Sequence, residues 1–188
     1  MNAYAGGPRG SDPRSAPIAE ECKYRVITGE DAPSFESFFQ GEYERLFRAL
    51  CLILGDAHEA EEVAQEAFAI VWERWDRVAQ MDSPAGYAFR VAINTSRRRY
   101  RRVLFARTHV QPLPTRDEFE RVENEDEASR VLSRLPDQQR TALVLTSYLG
   151  YSSEEAAAIL GIKASTVRVL TSRARSTLRM NTSAQRHE

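Results

Sequence analysis

Cysteine and histidine are scarce in this chain: 188 residues carry two of the first and three of the second. Cys22 and Cys51 stand too far apart for a zinc-ligand spacing and are too few for a disulfide framework. No metal site is therefore expected, and the thiols are read as inert rather than redox-active. No apolar run approaches the ~20 residues that a membrane-spanning helix needs. The first residues lack the apolar core of a signal peptide. A cytoplasmic protein without membrane insertion is the expectation. Recognisable catalytic patterns are also missing. There is no Gly-rich phosphate loop with a lysine, no paired histidine ligands, and no Ser/His or Cys/His arrangement at a familiar spacing. Aspartate and glutamate are plentiful but fall on helix exteriors or in a linker, which gives no basis for general acid–base chemistry. No catalytic residue and no cofactor are expected. Strand-like alternation and internal repeats are absent as well.

What is present is helical periodicity. Hydrophobic residues make up 42% of the chain, enough for real cores. Residues 1–32 are rich in Gly, Pro, Ser and Ala and read as a disordered tail. Phe35, Phe38, Phe39, Tyr43, Leu46, Phe47, Leu50 and Leu54 then recur at three and four, the mark of an amphipathic helix that Gly55 and Asp56 end. Asp56 with Glu59 has capping-box spacing. The helix that follows carries Ala60, Val63, Ala64, Ala67, Phe68, Val71, Trp72 and Trp75 inward, so both tryptophans are assigned to the core. Its opposite side is acidic, at Glu59, Glu62, Glu66 and Glu73. Ser83-Pro84 opens a third helix. The predicted fold class is all-α. A first domain spans 33–105, an acidic linker 106–126, and a second domain 127–181 with a helix-turn-helix; 182–188 form a tail.

The net charge of −1 conceals a segregation. Arg90, Arg97, Arg98, Arg99, Arg101, Arg102 and Arg107 follow one another without an intervening acid. The stretch from Arg116 to Glu127 is acidic instead. Tyr87, Arg90, Asn94 and Arg97 share one side of a helix by spacing. An aromatic, an amide and guanidiniums together can stack on bases and hydrogen-bond to them as well as hold phosphates. The last third of the chain adds a second nucleic-acid signal. Ser152 with Glu155 has capping-box spacing, Gly161 supplies a turn, and Thr166, Val167, Leu170, Ala174 and Leu178 form the inward stripe of a basic helix.

Two separate stretches resemble one family. Asp56-Ala57-His58-Glu59-Ala60-Glu61-Glu62-Val63-Ala64-Gln65-Glu66-Ala67-Phe68, then Trp72, is similar to the acidic D-AED-VQE-F---W helix of extracytoplasmic-function (ECF) sigma factors. Gly86-Tyr87-Ala88-Phe89-Arg90-Val91-Ala92-Ile93-Asn94 resembles their WLYRIARN helix. Leu135-Pro136-Asp137-Gln138-Gln139-Arg140, Tyr148 to Ala157 and Thr166-Val167-Arg168 resemble their C-terminal domain. The resemblance implies a factor that binds core RNA polymerase at its β′ clamp helices and β flap. It implies promoter DNA as the second partner and an anti-sigma factor as a third. By position, Glu62, Gln65 and Glu66 would meet the polymerase. Met81, Asp82, Ser83, Tyr87, Arg90, Asn94, Arg97, Arg98 and Arg101 would face the −10 element, the loop from Ala79 to Ser83 receiving an unstacked base. Lys163, Ser165, Thr166, Arg168, Arg173 and Arg175 would face the −35 element.

The linker would have to reach between the two elements. It can extend to ~70 Å at ~3.3 Å per residue, whereas as a free coil its ends average ~25 Å apart. Elements about two helical turns apart, at ~34 Å per turn, therefore imply a stretched linker on the polymerase. Two departures from the family pattern stand out. Lys163 occupies the usual serine N-cap, and Leu170-Thr171 stands where Arg-Leu is usual. Either the recognition helix is slightly rotated, or its DNA-facing surface is more apolar. The competing readings are a two-domain response regulator, a recombinase using this module for docking, and a helix-turn-helix regulator that never opens DNA. The first needs strands in residues 34–105, and the second needs a nucleophile or carboxylate cluster.

Overall fold

The computed structural model describes residues 34–109 and 127–185, and helices dominate both segments. The N-terminal tail with Cys22 and most of the acidic linker lie outside the described residues. α1 (Phe35–Leu54) starts where Ser34 accepts a hydrogen bond from the Ser37 amide, at 3.2 Å. α2 (Ala57–Trp72) starts on Asp56, whose carboxylate accepts from the Glu59 amide at 2.9 Å. The short α3 (Trp75–Val78) and a tight loop lead to α4 (Pro84–His109). The Gly86 amide donates to Ser83 Oγ at 3.0 Å, so Ser83 is the predicted cap of α4. A Cβ at residue 86 would lie 2.7 Å from Ser83 Oγ, so any larger residue there would require the Ser83 side chain to shift. α4 runs on to His109, into the stretch expected to be linker.

The second half contains α5 (Glu127–Ser133) and α6 (Asp137–Leu143). A π-helical turn (Val144–Tyr148) follows, closed by the Leu149 amide on the Val144 carbonyl at 3.0 Å. α7 (Ser153–Leu160) and α8 (Ala164–Gln185) complete the chain's described part. α8 continues past residue 181, where the second domain was expected to end.

α1, α2 and α4 bury Leu46, Leu50, Val63, Ala67, Val71, Phe89 and Ala92 against one another. α6, α7 and α8 meet around Leu145, Ile159 and Val167. The two bundles do not stay apart. α7 lies against α4, while α5 and the π-helical turn lie against α1, so a single apolar cluster runs through both. Sequence reasoning anticipated two bodies on a linker and had no signal for this joint. It is made between residues far apart in the chain.

Candidate polymerase and nucleic-acid interfaces

Helical periodicity turns Val63, Ala64, Ala67 and Phe68 inward and leaves Glu62 and Gln65 in solvent. The acidic side of α2 is not a free surface, however. Glu66 is ion-paired with Arg98, and Glu62 Oε2 lies 2.8 Å from Arg99 Nη2. Two expected interfaces, one acidic and one basic, are thus tied to each other across α2 and α4. Gln65 Nε2 donates to Glu61 at 3.3 Å. Beside Gln65 opens an apolar groove of ≈ 350 Å³ lined by Phe35, Phe39, Tyr43, Phe68, Ala69 and Trp72. Trp72 is 64% exposed, which corrects its assignment to the core. The reason is local. Trp72 is the last residue of α2, and the neighbouring space is filled by Trp75 from α3, whose ring lies 4.9 Å from Phe38 and 5.6 Å from Phe35.

The loop before α4 divides into a floor and a rim. Val78, Ala79 and Met81 are buried, Met81 in the main core, while Asp82 and Ser83 are exposed. Met81 thus supports the loop from beneath. Along α4, Tyr87, Arg90 and Asn94 are half-buried on one side. Tyr87 is fixed by Arg74, whose Nη1 donates to the phenol oxygen at 3.1 Å. Three of the arginines that follow, those expected to face DNA, diverge. Arg98 turns to Glu66 on α2. Arg97 turns to α7, its Nη1 3.5 Å from the Leu160 carbonyl. Arg97 remains exposed, but partial desolvation of its guanidinium and the neighbouring charge of Arg101 push its pKa down. Arg101 stays exposed with its Nε 3.3 Å from the Arg97 carbonyl.

In the helix-turn-helix the predicted capping box is complete. The Glu155 amide donates to Ser152 Oγ at 3.1 Å, and the Ser152 amide donates to Glu155 Oε2 at 2.7 Å. That second bond holds the Glu155 carboxyl below its ordinary range. Gly161 ends α7 with φ 68°, a left-handed conformation costly for other residues. α8 then opens on the Lys163 carbonyl, which accepts from Thr166 and Val167. Lys163, Ser165, Thr166, Arg168 and Arg173 are all exposed. Arg168 Nη2 reaches Glu154 Oε1 at 2.8 Å, and this contact depresses the Glu154 pKa. Arg175 Nη2 donates to Ser147 Oγ at 3.1 Å.

Leu170 is half-buried against the core and Thr171 is buried, its Oγ1 3.5 Å from Thr146 Oγ1. Among these neighbours the exposed apolar side chain is Val169. Arg168, Arg175, Arg179, Ser152, Ser153 and Ser172 share a polar concavity of ≈ 460 Å³ with Thr146, Tyr151 and Thr171. Ser172 was not among the expected site residues, and Arg179 was expected only to turn from the apolar stripe toward solvent or phosphate. Their place beside Arg175 follows from the helical repeat and was readable there.

Among the described residues no three His, Cys, Asp or Glu side chains converge as metal ligands, and no helix is long and apolar enough to cross a membrane. Cys51 is half-buried, and desolvation pushes its thiol pKa up, away from the reactive thiolate.

Comparison with known proteins adds independent observations. Residues 38–103 match the sigma-70 region 2 family and residues 125–178 the sigma-70 region 4 family. The chain is 31% identical over 152 residues to the RNA polymerase sigma-E factor of Streptomyces antibioticus, covering 77% of this chain and 82% of that protein. It is 28% identical over 153 residues to the ECF RNA polymerase sigma factor SigM of Mycobacterium tuberculosis, covering 79% and 76%. Its fold matches that of the sigma factor RpoE from Bartonella quintana, solved in complex with the anti-sigma factor NepR. The TM-score is 0.62 at 23% identity, over 78% of this chain and 94% of that one.

Proposed function

Because the chain belongs to the ECF sigma factors of bacterial RNA polymerase, we propose that it docks on core polymerase through α2, opens the −10 element with α4 and reads the −35 element with α8. The observation that carries this reading is the pairing of a region 2 and a region 4 unit in that order in one chain. α2 offers Glu62, Gln65 and Glu66 beside the groove of Phe39 and Trp72. An exposed tryptophan at the edge of an apolar groove has the character of an interface anchor, so the groove belongs to the polymerase surface in this account. The β flap is assigned to the second bundle, and an anti-sigma factor would compete for the same faces.

On DNA the division of labour follows from the side chains. Asp82 and Ser83 rim the loop that receives an unstacked base, over the floor made by Met81. Tyr87, Arg90 and Asn94 supply stacking and base-edge hydrogen bonds, while Arg97, Arg98 and Arg101 supply charge for the backbone. Extruding a base costs a few kcal/mol, so a pocket that holds it selects the open state. Lys163, Ser165, Thr166, Arg168, Arg173 and Arg175 face the −35 duplex, where a good bidentate base contact discriminates by ~1–3 kcal/mol. The chain itself breaks no covalent bond; it acts by binding one state of the DNA better than another. It works in the cytoplasm, with the polymerase. Permanganate reactivity of −10 thymines tests the reading. The chain with core polymerase should make them reactive, and Asn94→Ala should abolish this while core binding persists. Unaltered reactivity in the Asn94→Ala complex would remove α4 from the melting role.

A further inference from the structure

Val169 is the large apolar side chain that the first half of α8 leaves in solvent, at 48% exposure. Met180, also exposed, stands about three turns further along the helix. The helical repeat brings Ser165, Val169 and Ser172 onto one strip, opposite the buried Val167, Thr171 and Ala174. The departure from the family pattern at Leu170-Thr171 therefore does not reach this strip. Leu170 is half-buried against the core and Thr171 is buried, so the apolar character faces outward one residue earlier. A β-branched residue is a poor helix former, and helix stability alone gives no reason for valine at an exposed position.

The cations keep to the two flanks of that strip. On one side Arg168, Arg175 and Arg179 line the polar concavity with Ser152 and Ser153. Arg168 is held toward α7 by Glu154 at 2.8 Å, and Arg175 toward the π-helical turn by Ser147 at 3.1 Å. On the other side Thr166 and Arg173 are exposed about two turns apart on one row. A helix in the major groove turns its centre to the base edges and its flanks to the phosphates, which fix register but carry no sequence information. The centre here is uncharged. We propose that Val169 is a specificity-determining residue of −35 recognition. It selects a thymine through the 5-methyl group that thymine alone of the four bases presents in the major groove.

This role rests on the assignment of α8 to the −35 duplex made above. Valine has no hydrogen-bonding group, so its position rejects the other bases by leaving their polar edges unpaired. Cytosine would lose a partner for its N4 amino group, adenine for N6 and N7, and guanine for O6 and N7. The hydroxyls of Ser165 and Ser172 on the same strip are left to serve thymine O4 and the neighbouring edges. The χ1 angle of valine is nearly fixed in a helix, so its two methyl groups form a stiff wedge whose contact is set before DNA arrives. Burying one methyl group of the base against it changes affinity roughly fourfold.

The test uses the full chain assembled with core polymerase, which first selects its binders from a library of randomised duplexes. Each thymine of the selected −35 element is then replaced singly by deoxyuridine, which removes the 5-methyl group and nothing else. At one position the wild-type complex should lose affinity roughly fourfold. Exchange of that base pair for C·G should cost at least about fivefold. Val169→Ala should bind the thymine and deoxyuridine duplexes equally. Arg168→Ala should weaken binding to both duplexes alike and keep their ratio. An element in which no thymine responds to loss of its methyl group overturns the proposal, as does a response that persists in Val169→Ala. A library that yields no common element contradicts the assignment of α8 itself, and with it the role of Val169.

Discussion

Phe89 and Tyr151 meet edge to face, with ring centroids 5.9 Å apart and planes at 77°. One ring belongs to the helix that carries the −10 assignments and the other to the approach to the helix-turn-helix. Aromatic pairs in this geometry contribute ~0.5–1.5 kcal/mol beyond their buried area. The contact couples the two bundles, and a change in one is expected to be felt in the other.

The pair of Glu66 and Arg98 links α2 to α4 and is partly shielded, with side-chain exposures of 36% and 20%. Removing one partner leaves the other charge poorly compensated. Glu66→Gln should therefore lower stability by ~1–2 kcal/mol, a figure already reduced for solvent screening. Arg98→Gln should do the same, and the double variant should lose less than the sum. Urea denaturation of the four proteins checks this. Additive losses would mean that the ion pair contributes nothing.

Trp72 should separate binding from folding. Its ring is largely in solvent, so Trp72→Ala should leave the melting temperature within about 2 °C of wild type, as for surface changes of less than ~0.5 kcal/mol. Affinity for core polymerase should fall at least tenfold, the loss typical of a hot-spot residue costing ≥ ~2 kcal/mol. Calorimetry and a core-binding titration give the two readings. A marked fall in melting temperature with intact binding would return Trp72 to a structural role.

Glu155 accepts the Ser152 amide, and its pKa is held below the ordinary glutamate range by that bond. A depressed pKa in the folded state means that the contribution is fully present above the unfolded pKa and is lost as pH falls through the folded one. Stability should therefore decline on acidification across the carboxylate range, and Glu155→Gln should flatten part of that decline. Ser152→Ala should cost ~1 kcal/mol at neutral pH, the usual loss for an N-cap. Equilibrium unfolding from pH 7 to pH 3 tests both. A Glu155→Gln curve parallel to wild type would dismiss the linkage.

Arg168 and Arg175 are held in place by Glu154 and Ser147. If each meets a phosphate, Arg168→Ala and Arg175→Ala should each lower the salt dependence of −35 duplex binding by about one unit of the log–log slope. Arg173→Ala serves as the comparison on the same helix. Binding isotherms at several salt concentrations measure the slopes. An unchanged slope with reduced discrimination between sequences would move that arginine from phosphate to base.

The parts of this fold that were legible in the sequence are those set by local chemistry. Ser34, Asp56, Ser83 and Ser152 cap helices because a short oxygen-bearing side chain reaches an amide two or three residues on. Gly161 turns the chain because its φ is positive. Periodicity placed Leu46, Val63 and Val167 inside. What escaped notice depends on partners distant in the chain. Arg97 and Arg98 are adjacent, yet one goes to α7 and the other to α2, a choice made by their neighbours. Trp72 sits in solvent because Trp75 takes the interior place, and either ring would satisfy the pattern. Met81 falls under its loop rather than on it. The joint around Tyr151 gave no periodic signal at all. Function was legible through ordered family motifs, since a net charge of −1 says nothing of nucleic acid.

Run-off transcription tests the central claim most directly. Purified core RNA polymerase is supplied with genomic promoter fragments, with and without this chain. Discrete transcripts with defined start points should form when the chain is present, and Glu62→Lys or Trp72→Ala should reduce them. Core polymerase that gives the same unselective RNA whether or not the chain is added would contradict the account.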